Sequence, residues 1–485
     1  MISNLWVPPT GFPMGELTLD SRALRPGMTF VALRGTHGDG RAFLKEAIAQ
    51  GAVSIITEAN DRDHWPAVSV PEWSVAQLSL HISALAGAYY DHPSRELKVV
   101  GVTGTNGKTS CTQWLSQVLP QCAWMGTLGL GWGQQSRGGY LTTPDAITVQ
   151  KNLRWVQQQG MSTVVMEVSS HALDQGRVAG VSFVGAVLTQ ITSDHLDYHK
   201  TQEAYVRAKE RLFCWDSLGF MVLNRDDAMG QRWMGRHRER SIPIWTYGLG
   251  PSNRKGDNSV AVSEVSLQAD GVRFKGLFRG RASWFEVPVL GRFNMFNVLA
   301  VMTCALAMDV PWDELPARLA TLQAPVGRMQ QFGGAGLPLV VIDFAHTPDA
   351  LRQVLETIRG IMVPSARLYC VFGCGGERDT MKRPVMGEIA LKGADEVILT
   401  TDNPRGENPE VILKQVQEGM SGGKPYFVEP NRRRAIELAI TQARTGDVVL
   451  IAGKGHETYQ EIKGQKIPFN DGLIAQMTLN RRLVS

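Results

Sequence analysis

A glycine-rich segment that ends in Lys108 and Thr109 is the first part of this sequence whose residues could do chemistry. It reads G-V-T-G-T-N-G-K-T-S over residues 101–110, after the apolar run 98–103 and before a helical pattern. In such a loop, backbone N–H groups turn toward a triphosphate, the lysine reaches its β- and γ-phosphates, and the hydroxyl binds Mg²⁺. Val102 stands where the strict G-x-x-x-x-G-K-[ST] pattern has glycine, so a G-x-x-G-K-T variant remains. A surface turn with a coincidental Lys-Thr pair is the alternative interpretation.

Two further segments carry possible metal ligands. Glu167 ends the apolar run V-V-M-E, and parallel strands place catalytic groups at their carboxyl ends, so this carboxylate could hold Mg²⁺. Residues 189–199, T-Q-I-T-S-D-H-L-D-Y-H, hold two histidines and two aspartates, although Mg²⁺ prefers oxygen ligands. A solvent-facing glutamate and a polar loop with helix-capping aspartates are the alternatives. Lys209 lies in a helical pattern at 202–213, where its residue type alone predicts a solvated lysine.

The elements that must position these residues follow an alternating strand and helix pattern. The first ~90 residues indicate a small α/β unit with strands at 29–33 and 53–57 and a helix at 42–50, before a polar linker at 91–96. Apolar strands that alternate with helices then predict a parallel sheet covered on both faces, with strands at 98–103, 163–168, 182–188 and 220–223. Residues 258–289 indicate antiparallel hairpins, and a helix is predicted at 294–309.

A second boundary is predicted at A-P-V-G, residues 324–327, and a second doubly wound unit follows it. Its predicted strands lie at 339–343, 367–372, 396–400 and 447–452. Its predicted helices lie at 349–359, 384–392, 409–418 and 431–442. The sequence shows no internal repeat and no low-complexity segment.

Composition sets the outer limits of the interpretation. The chain has 485 residues, which is enough for about three domains. With 43% apolar and 20% charged residues it is not a disordered chain, and a net charge of +4 gives no argument for nucleic-acid or membrane binding. Six cysteines without a C-x-x-C pair predict a reduced protein. Because we see no signal-like N-terminus and no apolar run of about 20 residues, we expect a cytoplasmic protein. We also expect a monomer.

Six motifs in order resemble those of the Mur ligase family: G-T-N-G-K-T-S, M-E-V-S-S-H-A-L, S-D-H-L-D-Y-H, G-R-F-N-M-F-N, D-F-A-H-T-P-D and G-K-G-H-E. These proteins are ATP-dependent amide ligases of peptidoglycan precursor synthesis. The resemblance implies an α/β protein of three domains. They are a small UDP-sugar-binding domain at 1–90, a central parallel-sheet P-loop ATPase at 91–325, and a C-terminal Rossmann-like, amino-acid-binding domain at 326–485.

The resemblance also assigns site residues. The implied catalytic residues are Lys108, Glu167, His195 and Lys209. The implied Mg²⁺ ligands are Thr109, Glu167, His195 and Lys209. Lys209 would act as a ligand after carbamylation, which makes the lysine carboxylate-like. ATP contacts fall to Gly104, Thr105, Asn106, Gly107, Lys108, Thr109, Ser110, Asn294, Asn297, Asp343 and His346. Contacts to the UDP substrate fall to Leu19, Ser21, Thr142, Thr143, Ser169, Gln175 and Arg177. One departure is that the loop histidine of the first domain, His37, stands one place later than in relatives, which leaves the uridine contacts of residues 35–41 open.

The motif D-N-P-R at 402–405 narrows the implied substrate to meso-2,6-diaminopimelate, which would be joined to UDP-N-acetylmuramoyl-L-alanyl-D-glutamate through an acyl phosphate. Diaminopimelate carries one carboxylate more than lysine, and a guanidinium binds carboxylate bidentately. The implied contacts are Arg378, Asp402, Asn403, Pro404, Arg405, Gly453 and Glu457. A plain turn at Pro404 is the alternative. We also expect the glycines of 101–107, 373–376 and 453–455 to lie where the backbone approaches a ligand.

Three alternatives stay open at this point. A lysine-adding relative would share everything except the Arg405 region, and a folylpolyglutamate synthetase-like ligase would share the ATPase but lack the N-terminal domain. A non-catalytic ATP-binding regulator would keep the glycine loop and lose Glu167, His195 or Lys209, all of which are present here.

Overall fold

The computed structural model describes residues 8–35, 38–133, 135–139, 141–250, 257–268, 271–334, 336–422 and 424–484. The chain divides into two compact units, Met1–Leu223 with Asp227–Trp245, and Asn224–Asp226 with Thr246–Ser485. Thr36 and His37 lie outside the described residues. The domain boundaries near residues 90 and 325 stay predictions.

A four-stranded parallel sheet forms the beginning of the first unit, with its strands in chain order. The strands are Leu17–Thr18, Thr29–Ala32, Ser54–Glu58 and Glu72–Val75. The helices are Leu44–Ala49 and Leu78–Tyr89, with short 3-10 turns at Ser21–Ala23, Gly40–Phe43, Arg62–His64 and Pro93–Arg95. The predicted strands at 29–33 and 53–57 and the helix near 42–50 are confirmed. The last strand and the longer helix are additions to that prediction.

The larger sheet of the first unit carries the glycine-rich loop. Its parallel strands lie in the spatial order Phe220–Asn224, Phe183–Leu188, Lys98–Thr103, Thr163–Glu167 and Cys122–Gly126, and antiparallel strands Gly129–Trp132 and Gln135–Arg137 extend it. The helices are Lys108–Val118, Ala146–Gln158, Ser170–Asp174, Leu196–His199, Gln202–Glu210 and Ala228–Arg236, and Arg211–Cys214 is a 3-10 turn. The four predicted strands are confirmed. The three strands between 122 and 137 were not predicted.

The second unit begins with the predicted hairpins. Strand Ile244–Leu249 enters it and pairs in parallel with Ser259–Leu267, which is followed by antiparallel Val272–Phe278 and Arg281–Val287. The buried helix Arg292–Ala307 comes next, then the turn Trp312–Glu314 and the helix Leu315–Leu319.

A six-stranded, mostly parallel sheet forms the rest of the second unit, in the order Gln330–Gly333, Leu339–Asp343, Val448–Ala452, Leu368–Phe372, Glu396–Leu399 and Phe427–Val428. Its helices are Pro348–Ile361, Lys382–Gly393, Pro409–Glu418, Arg432–Gln442 and Asp471–Val484, and a small hairpin pairs Tyr459–Ile462 with Gln465–Pro468. Apolar residues from alternate strand positions form one core on each face, so the predicted doubly wound architecture is confirmed.

No helix in the described part of the chain is both long enough and apolar enough to cross a membrane. None of the six cysteines, all of which lie in the described part of the chain, forms a disulfide, and Cys214 is the exposed one.

A fully buried ion pair ties the last helix to the second unit. Arg432 donates to both carboxylate oxygens of Asp471, at 2.9 and 2.7 Å, and both side chains are 0% exposed. Arg432 also donates to the carbonyl of Ala452, at the end of a central strand. The pair therefore anchors the helix Asp471–Val484 beside the carboxyl edge of the sheet.

We expect Asp471→Ala to lower the free energy of unfolding by about 3–5 kcal/mol, because it leaves the Arg432 guanidinium buried and unpaired. Glu388→Ala is the control, since its pair with Lys392 is exposed to solvent and should change the free energy of unfolding very little. Denaturant unfolding followed by circular dichroism measures both. Equal small losses in the two variants would contradict the structural role given to the pair.

Candidate active site

The glycine-rich loop lies at the carboxyl edge of the larger sheet in the first unit. Strand Lys98–Thr103 enters it, and helix Lys108–Val118 leaves it, so the helix N-terminus faces the loop. Gly104 and Gly107 have positive φ angles of 147° and 84°, which favour glycine. Strand, loop and helix therefore follow each other as a phosphate-binding loop requires.

The loop is held in place by residues 189–192, which follow the neighbouring strand. Thr189 Oγ1 donates to the carbonyl of Asn106 at 2.6 Å, and the N–H of Thr105 donates to the carbonyl of Gln190 at 2.7 Å. The Thr105 hydroxyl accepts from the N–H of Thr192 at 2.9 Å. This contact brings the predicted S-D-H segment next to the loop, and sequence analysis missed the part that Thr189 plays in it.

Glu167 lies beside the loop at the end of the adjacent strand, where Val102 and Glu167 are partners in the parallel register. Its side chain is 2% exposed, so the alternative of a solvent-facing glutamate is wrong. One carboxylate oxygen accepts from Thr109 Oγ1 at 3.0 Å, and the other accepts from the N–H of Thr127 at 2.8 Å. A buried carboxylate beside a threonine hydroxyl offers the oxygen ligands that Mg²⁺ prefers.

Lys209 is 1% exposed, so the prediction of a solvated helix lysine is wrong. Its Nζ donates to the carbonyl of Gly104 at 2.7 Å and lies 4.7 Å from the ring centre of Tyr205. The ammonium of Lys108 donates to the same carbonyl at 2.9 Å. Burial, and then the nearby charge of Lys108, place the pKa of Lys209 well below its ordinary value.

His195 lies close to these two lysines but is half-exposed. Its Nε2 is 3.4 Å from Asp194 Oδ2, and its ring packs edge-on against His171 at 4.8 Å. Burial lowers the pKa of His195, and the charge of Lys108 lowers it further. Within the described residues, no group of three or more His, Cys, Asp and Glu side chains could hold a metal ion together. The structure therefore brings Thr109 to Glu167, and Lys108 to Lys209, but in the part of the chain that it describes the protein groups alone form no metal cluster.

The residues predicted to contact the UDP substrate form a second polar group. Thr143 Oγ1 donates to the carbonyl of Glu167 at 2.9 Å and accepts from the N–H of Ser169 at 3.0 Å. Arg177 donates to the carbonyl of Thr143 at 2.9 Å and to Gln175 Oε1 at 2.6 and 2.8 Å. These four predicted residues thus belong to one hydrogen-bonded network that begins at Glu167.

Thr142 joins this network through Thr127, whose N–H donates to Glu167, and the other two predicted contacts lie near the beginning of the first unit. Thr142 accepts a hydrogen bond from Thr127 at 3.2 Å. Leu19 is half-buried beside the strand Leu17–Thr18, and Ser21 is buried at the start of a 3-10 turn.

In the second unit, Asn294 and Asn297 share one face of the helix Arg292–Ala307. Asn297 Nδ2 donates to Asn294 Oδ1 at 3.0 Å, and Asn294 Nδ2 donates to the carbonyl of Leu290 at 2.8 Å. Both side chains are buried. The pair presents amide groups with a defined orientation.

Asp343 ends the first parallel strand of the six-stranded sheet and is buried. Its Oδ2 accepts from the N–H of Met329 at 2.8 Å. Burial raises the pKa of Asp343 to about 6, although the nearby Arg328 lowers it. The ring of His346 is hydrogen-bonded through Nδ1 to the carbonyl of Phe344 at 2.8 Å. Sequence analysis missed Arg328, which A-P-V-G-R places immediately after the predicted boundary.

The predicted amino-acid contacts gather at the carboxyl edge of the same sheet. Asn403 Nδ2 donates to Glu457 Oε2 at 2.7 Å. Lys454, whose side chain is 0% exposed, donates to Asn403 Oδ1 at 2.9 Å and to Glu457 Oε2 at 2.6 Å. Asp402 Oδ2 would lie 2.6 Å from a Cβ added at Gly453, so the two segments are in close contact. Lys454 was missed, although it stands inside the G-K-G-H-E motif.

Arg405 and Arg378 lie on two loops that contact each other. Arg405 has a φ of 52°, and its guanidinium donates to the carbonyl of Gly376 at 2.7 Å. A Cβ added at Gly376 would lie 2.0 Å from the carbonyl oxygen of Pro404. This glycine therefore allows one loop to approach the other, and its expected approach to a ligand stays a prediction. Arg378 is exposed.

The fold and the phosphate loop together define a nucleotide-binding α/β protein. Three family models match consecutive segments of the chain: "Mur ligase family, catalytic domain" at 14–90, "Mur ligase middle domain" at 102–305, and "Mur ligase, glutamate ligase domain" at 327–455. The chain belongs to the Mur ligase family. The resemblance seen in its six motifs is confirmed.

Individual relatives agree with this result. A Pseudomonas aeruginosa protein named UDP-N-acetylmuramoyl-L-alanyl-D-glutamate–2,6-diaminopimelate ligase is 44% identical over 468 residues, which cover 94% of this chain and 93% of that protein. A solved structure of a protein with that name is 34% identical, with a TM-score of 0.66, and covers 97% of this chain and 96% of that one. MurF ligase from Thermotoga maritima, in complex with ADP, matches at 18% identity with a TM-score of 0.67, covering 97% and 99%, which shows likeness of fold alone. The predicted three-part fold is confirmed.

The packing of Gly104 allows a test of the phosphate loop. A Cβ there would lie 1.8 Å from Thr189 Oγ1, so we expect Gly104→Ala to distort the loop and weaken ATP binding at least about tenfold. The control is Gly235→Ala, since that helical glycine has open space around it. Isothermal titration calorimetry measures both affinities. Unchanged ATP binding by Gly104→Ala would rule out this loop as the phosphate site.

Asp343 predicts a pH effect on stability. Its pKa is about 6 in the fold and 3.8 as an ordinary carboxyl, so between these values the folded protein holds a proton that the unfolded chain has lost. Raising the pH through this window therefore lowers the free energy of unfolding, by up to about 3 kcal/mol from this group. Asp343→Asn lacks the titration, so the stability of the wild type relative to the variant should fall across this window. Urea unfolding at a series of pH values measures the difference, which would stay constant if burial did not shift this carboxyl.

Proposed function

We propose that this chain is an ATP-dependent ligase that joins meso-2,6-diaminopimelate to UDP-N-acetylmuramoyl-L-alanyl-D-glutamate in peptidoglycan precursor synthesis. The observation that carries the proposal is the buried contact of Thr109 with Glu167 at the end of a phosphate loop, in a member of the Mur ligase family. Relatives at 44% identity over almost the whole chain bear the name of this activity. Family members are ATP-dependent, and the Thermotoga maritima neighbour holds ADP.

The reaction has two steps. An oxygen of the substrate's γ-carboxylate attacks the γ-phosphorus of ATP, and the bond between that phosphorus and the β,γ-bridging oxygen breaks. The products of this step are ADP and an acyl phosphate. The amine of the amino acid then attacks the acyl carbon and loses a proton. The amide bond forms as inorganic phosphate leaves. Lys108 and the N–H groups at the start of helix Lys108–Val118 offset negative charge on the transferring group. We assign no protein base to the amine.

Mg²⁺ fits the donor set beside the loop, because the Glu167 carboxylate and the Thr109 hydroxyl are hard oxygen ligands at hydrogen-bond distance from each other. His195 and Lys209 as a carbamate complete the proposed set. When bound, the metal neutralises phosphate charge. Since the protein groups among the described residues form no ligand cluster by themselves, the phosphates of ATP would supply the remaining oxygens.

The environment of Lys209 supports its carbamylation. Only an unprotonated amine can attack the carbon of CO₂, and burial together with the Lys108 charge lowers the pKa of Lys209. The new N–C bond forms as the amine loses a proton, and the product is anionic. The carbamate would form an ion pair with the neighbouring ammonium group of Lys108.

The remaining substrate contacts follow the family pattern. The network of Thr143, Ser169, Gln175 and Arg177, with Thr142, Leu19 and Ser21, is proposed for the UDP-linked peptide. Gly104, Thr105, Asn106, Gly107 and Ser110, and in the second unit Asn294, Asn297, Asp343 and His346, are proposed for ATP. We also propose domain boundaries near residues 90 and 325, and the monomeric state stays an expectation.

Recognition of the amino acid is proposed for Arg378, Asp402, Asn403, Pro404, Arg405, Gly453 and Glu457. The far end of diaminopimelate carries an ammonium and a carboxylate. Glu457 and Asp402 supply negative charge for the ammonium, whereas Arg378 and Arg405 supply guanidinium groups for the carboxylate. Lysine lacks that carboxylate, so the two arginines would distinguish the substrates.

The direct test is phosphate release from ATP with the UDP-muramoyl dipeptide and Mg²⁺, with diaminopimelate and lysine compared as acceptors. We expect rapid release with diaminopimelate and little with lysine. Activity with lysine alone would refute the assigned amino acid, and no release with either would refute the ligase assignment for these substrates.

We expect Arg405→Ala to lower kcat/KM for diaminopimelate by about 10- to 150-fold, because each lost charged hydrogen bond costs about 1.5–3 kcal/mol. Arg367→Ala is the matched control, since its side chain forms an exposed pair with Glu396. Steady-state kinetics at saturating ATP give both values. A kcat/KM in Arg405→Ala equal to that of the control would remove Arg405 from the site.

A further inference from the structure

Arg383 is a charged residue that neither the predicted site nor the reaction uses, yet its side chain is 0% exposed. It lies in the first turn of helix Lys382–Gly393. Its two terminal nitrogens donate to Glu407, at 2.9 Å to one carboxylate oxygen and at 3.0 Å to the other. They also donate to Gln415 and, at 3.1 Å, to the carbonyl of Gly375. One guanidinium thus binds two loops and a neighbouring helix.

Glu407 connects this guanidinium to the loop that carries Arg378. The same oxygen that accepts from Arg383 at 3.0 Å also accepts from the N–H of Glu377, the residue before Arg378. Glu377 has a φ of 53°, a conformation that a non-glycine residue rarely adopts without support. The Glu407 carboxylate therefore holds the backbone at the point where the loop turns toward Arg378.

The opposite loop is fixed to the same segment. The N–H of Gly376 donates to the carbonyl of Asn403 at 2.9 Å, and the Arg405 guanidinium donates to the carbonyl of Gly376 at 2.7 Å. With the contacts of Arg383 and Glu407, these bonds close a ring between residues 375–377 and 403–407. The backbone positions of Arg378 and Arg405 are then set relative to each other.

Burying a guanidinium is costly unless a partner compensates it, and an apolar pair of similar size is often no less stable. Stability alone therefore does not account for a guanidinium that is fully buried here against a carboxylate that stays partly exposed. Two arginines that grip one carboxylate need a fixed separation, since a displacement of about 1 Å can cost about 100-fold.

We propose that Arg383 and Glu407 are positioning residues that set the separation of Arg378 and Arg405 and so determine the preference for an amino acid with a distal carboxylate. The inference rests on the proposed function, in which those two arginines contact diaminopimelate. Arg383 and Glu407 touch no substrate and act through the two loops.

The test variant is Glu407→Gln, which keeps the size of the side chain. A glutamine has one carbonyl oxygen, so it cannot accept both from the N–H of Glu377 and from both nitrogens of Arg383, and its NH₂ group would face a donor. We expect KM for diaminopimelate to rise at least about tenfold. The kcat at saturating diaminopimelate and KM for ATP should stay within about twofold.

Three further measurements separate positioning from general damage. Glu396→Gln is the matched control, because it changes the exposed pair with Arg367 in the same sheet and should leave every constant unchanged. Glu407→Asp keeps the charge and should show a smaller rise in KM for diaminopimelate. If Glu407→Gln does not fold, the KM of Glu407→Asp is the test. The ratio of kcat/KM for diaminopimelate over lysine should fall in both Glu407 variants.

The outcomes are distinct. If the wild-type protein releases no phosphate with diaminopimelate, the proposed function itself is wrong. If the wild type is active but a folded Glu407 variant has an unchanged KM for diaminopimelate, this inference alone is wrong. Equal rises in KM for ATP and diaminopimelate would show a structural role and also overturn it.

Discussion

A charged side chain can be buried in this fold only where a partner from another segment compensates it, and both candidate sites depend on that constraint. In the first unit, Glu167 is satisfied by Thr109 and Thr127, while Lys209 donates to the carbonyl of Gly104. Gly104 and Thr109 belong to the phosphate loop and the helix that follows it, and Thr127 follows a strand of the same sheet. Satisfying the buried charge therefore also positions the loop.

In the second unit, buried cationic side chains at the carboxyl edge of the sheet are compensated by partners from other segments. Lys454 joins Asn403 to Glu457, and Arg432 joins the end of a central strand to Asp471. These bonds leave few degrees of freedom to the loops between them. The rigid part of each site is thus its buried polar layer, and the exposed groups, such as Arg378, extend from it.

Most strands and helices around the sites could be predicted, because long apolar runs alternate with helical patterns and the carboxyl ends of parallel strands mark the site. The burial and the partners of individual charged side chains could not be predicted from the sequence. Lys209 looks like any surface lysine on its helix, and its burial follows from the distant Gly104 loop. The pairing of Arg383 with Glu407 likewise joins residues far apart in the chain. Strand Cys122–Gly126 was missed because its short, glycine-flanked run has no clear alternation.

The division of the chain into two compact units has a consequence for how such proteins diversify. The phosphate loop with Glu167 belongs to one unit, and the 402–405 segment with its supporting ring belongs to the other. A few substitutions around that segment could exchange one amino acid for another while the energy-supplying chemistry stays untouched. Selection can then act on the building block of a polymer without risking the step that drives its assembly.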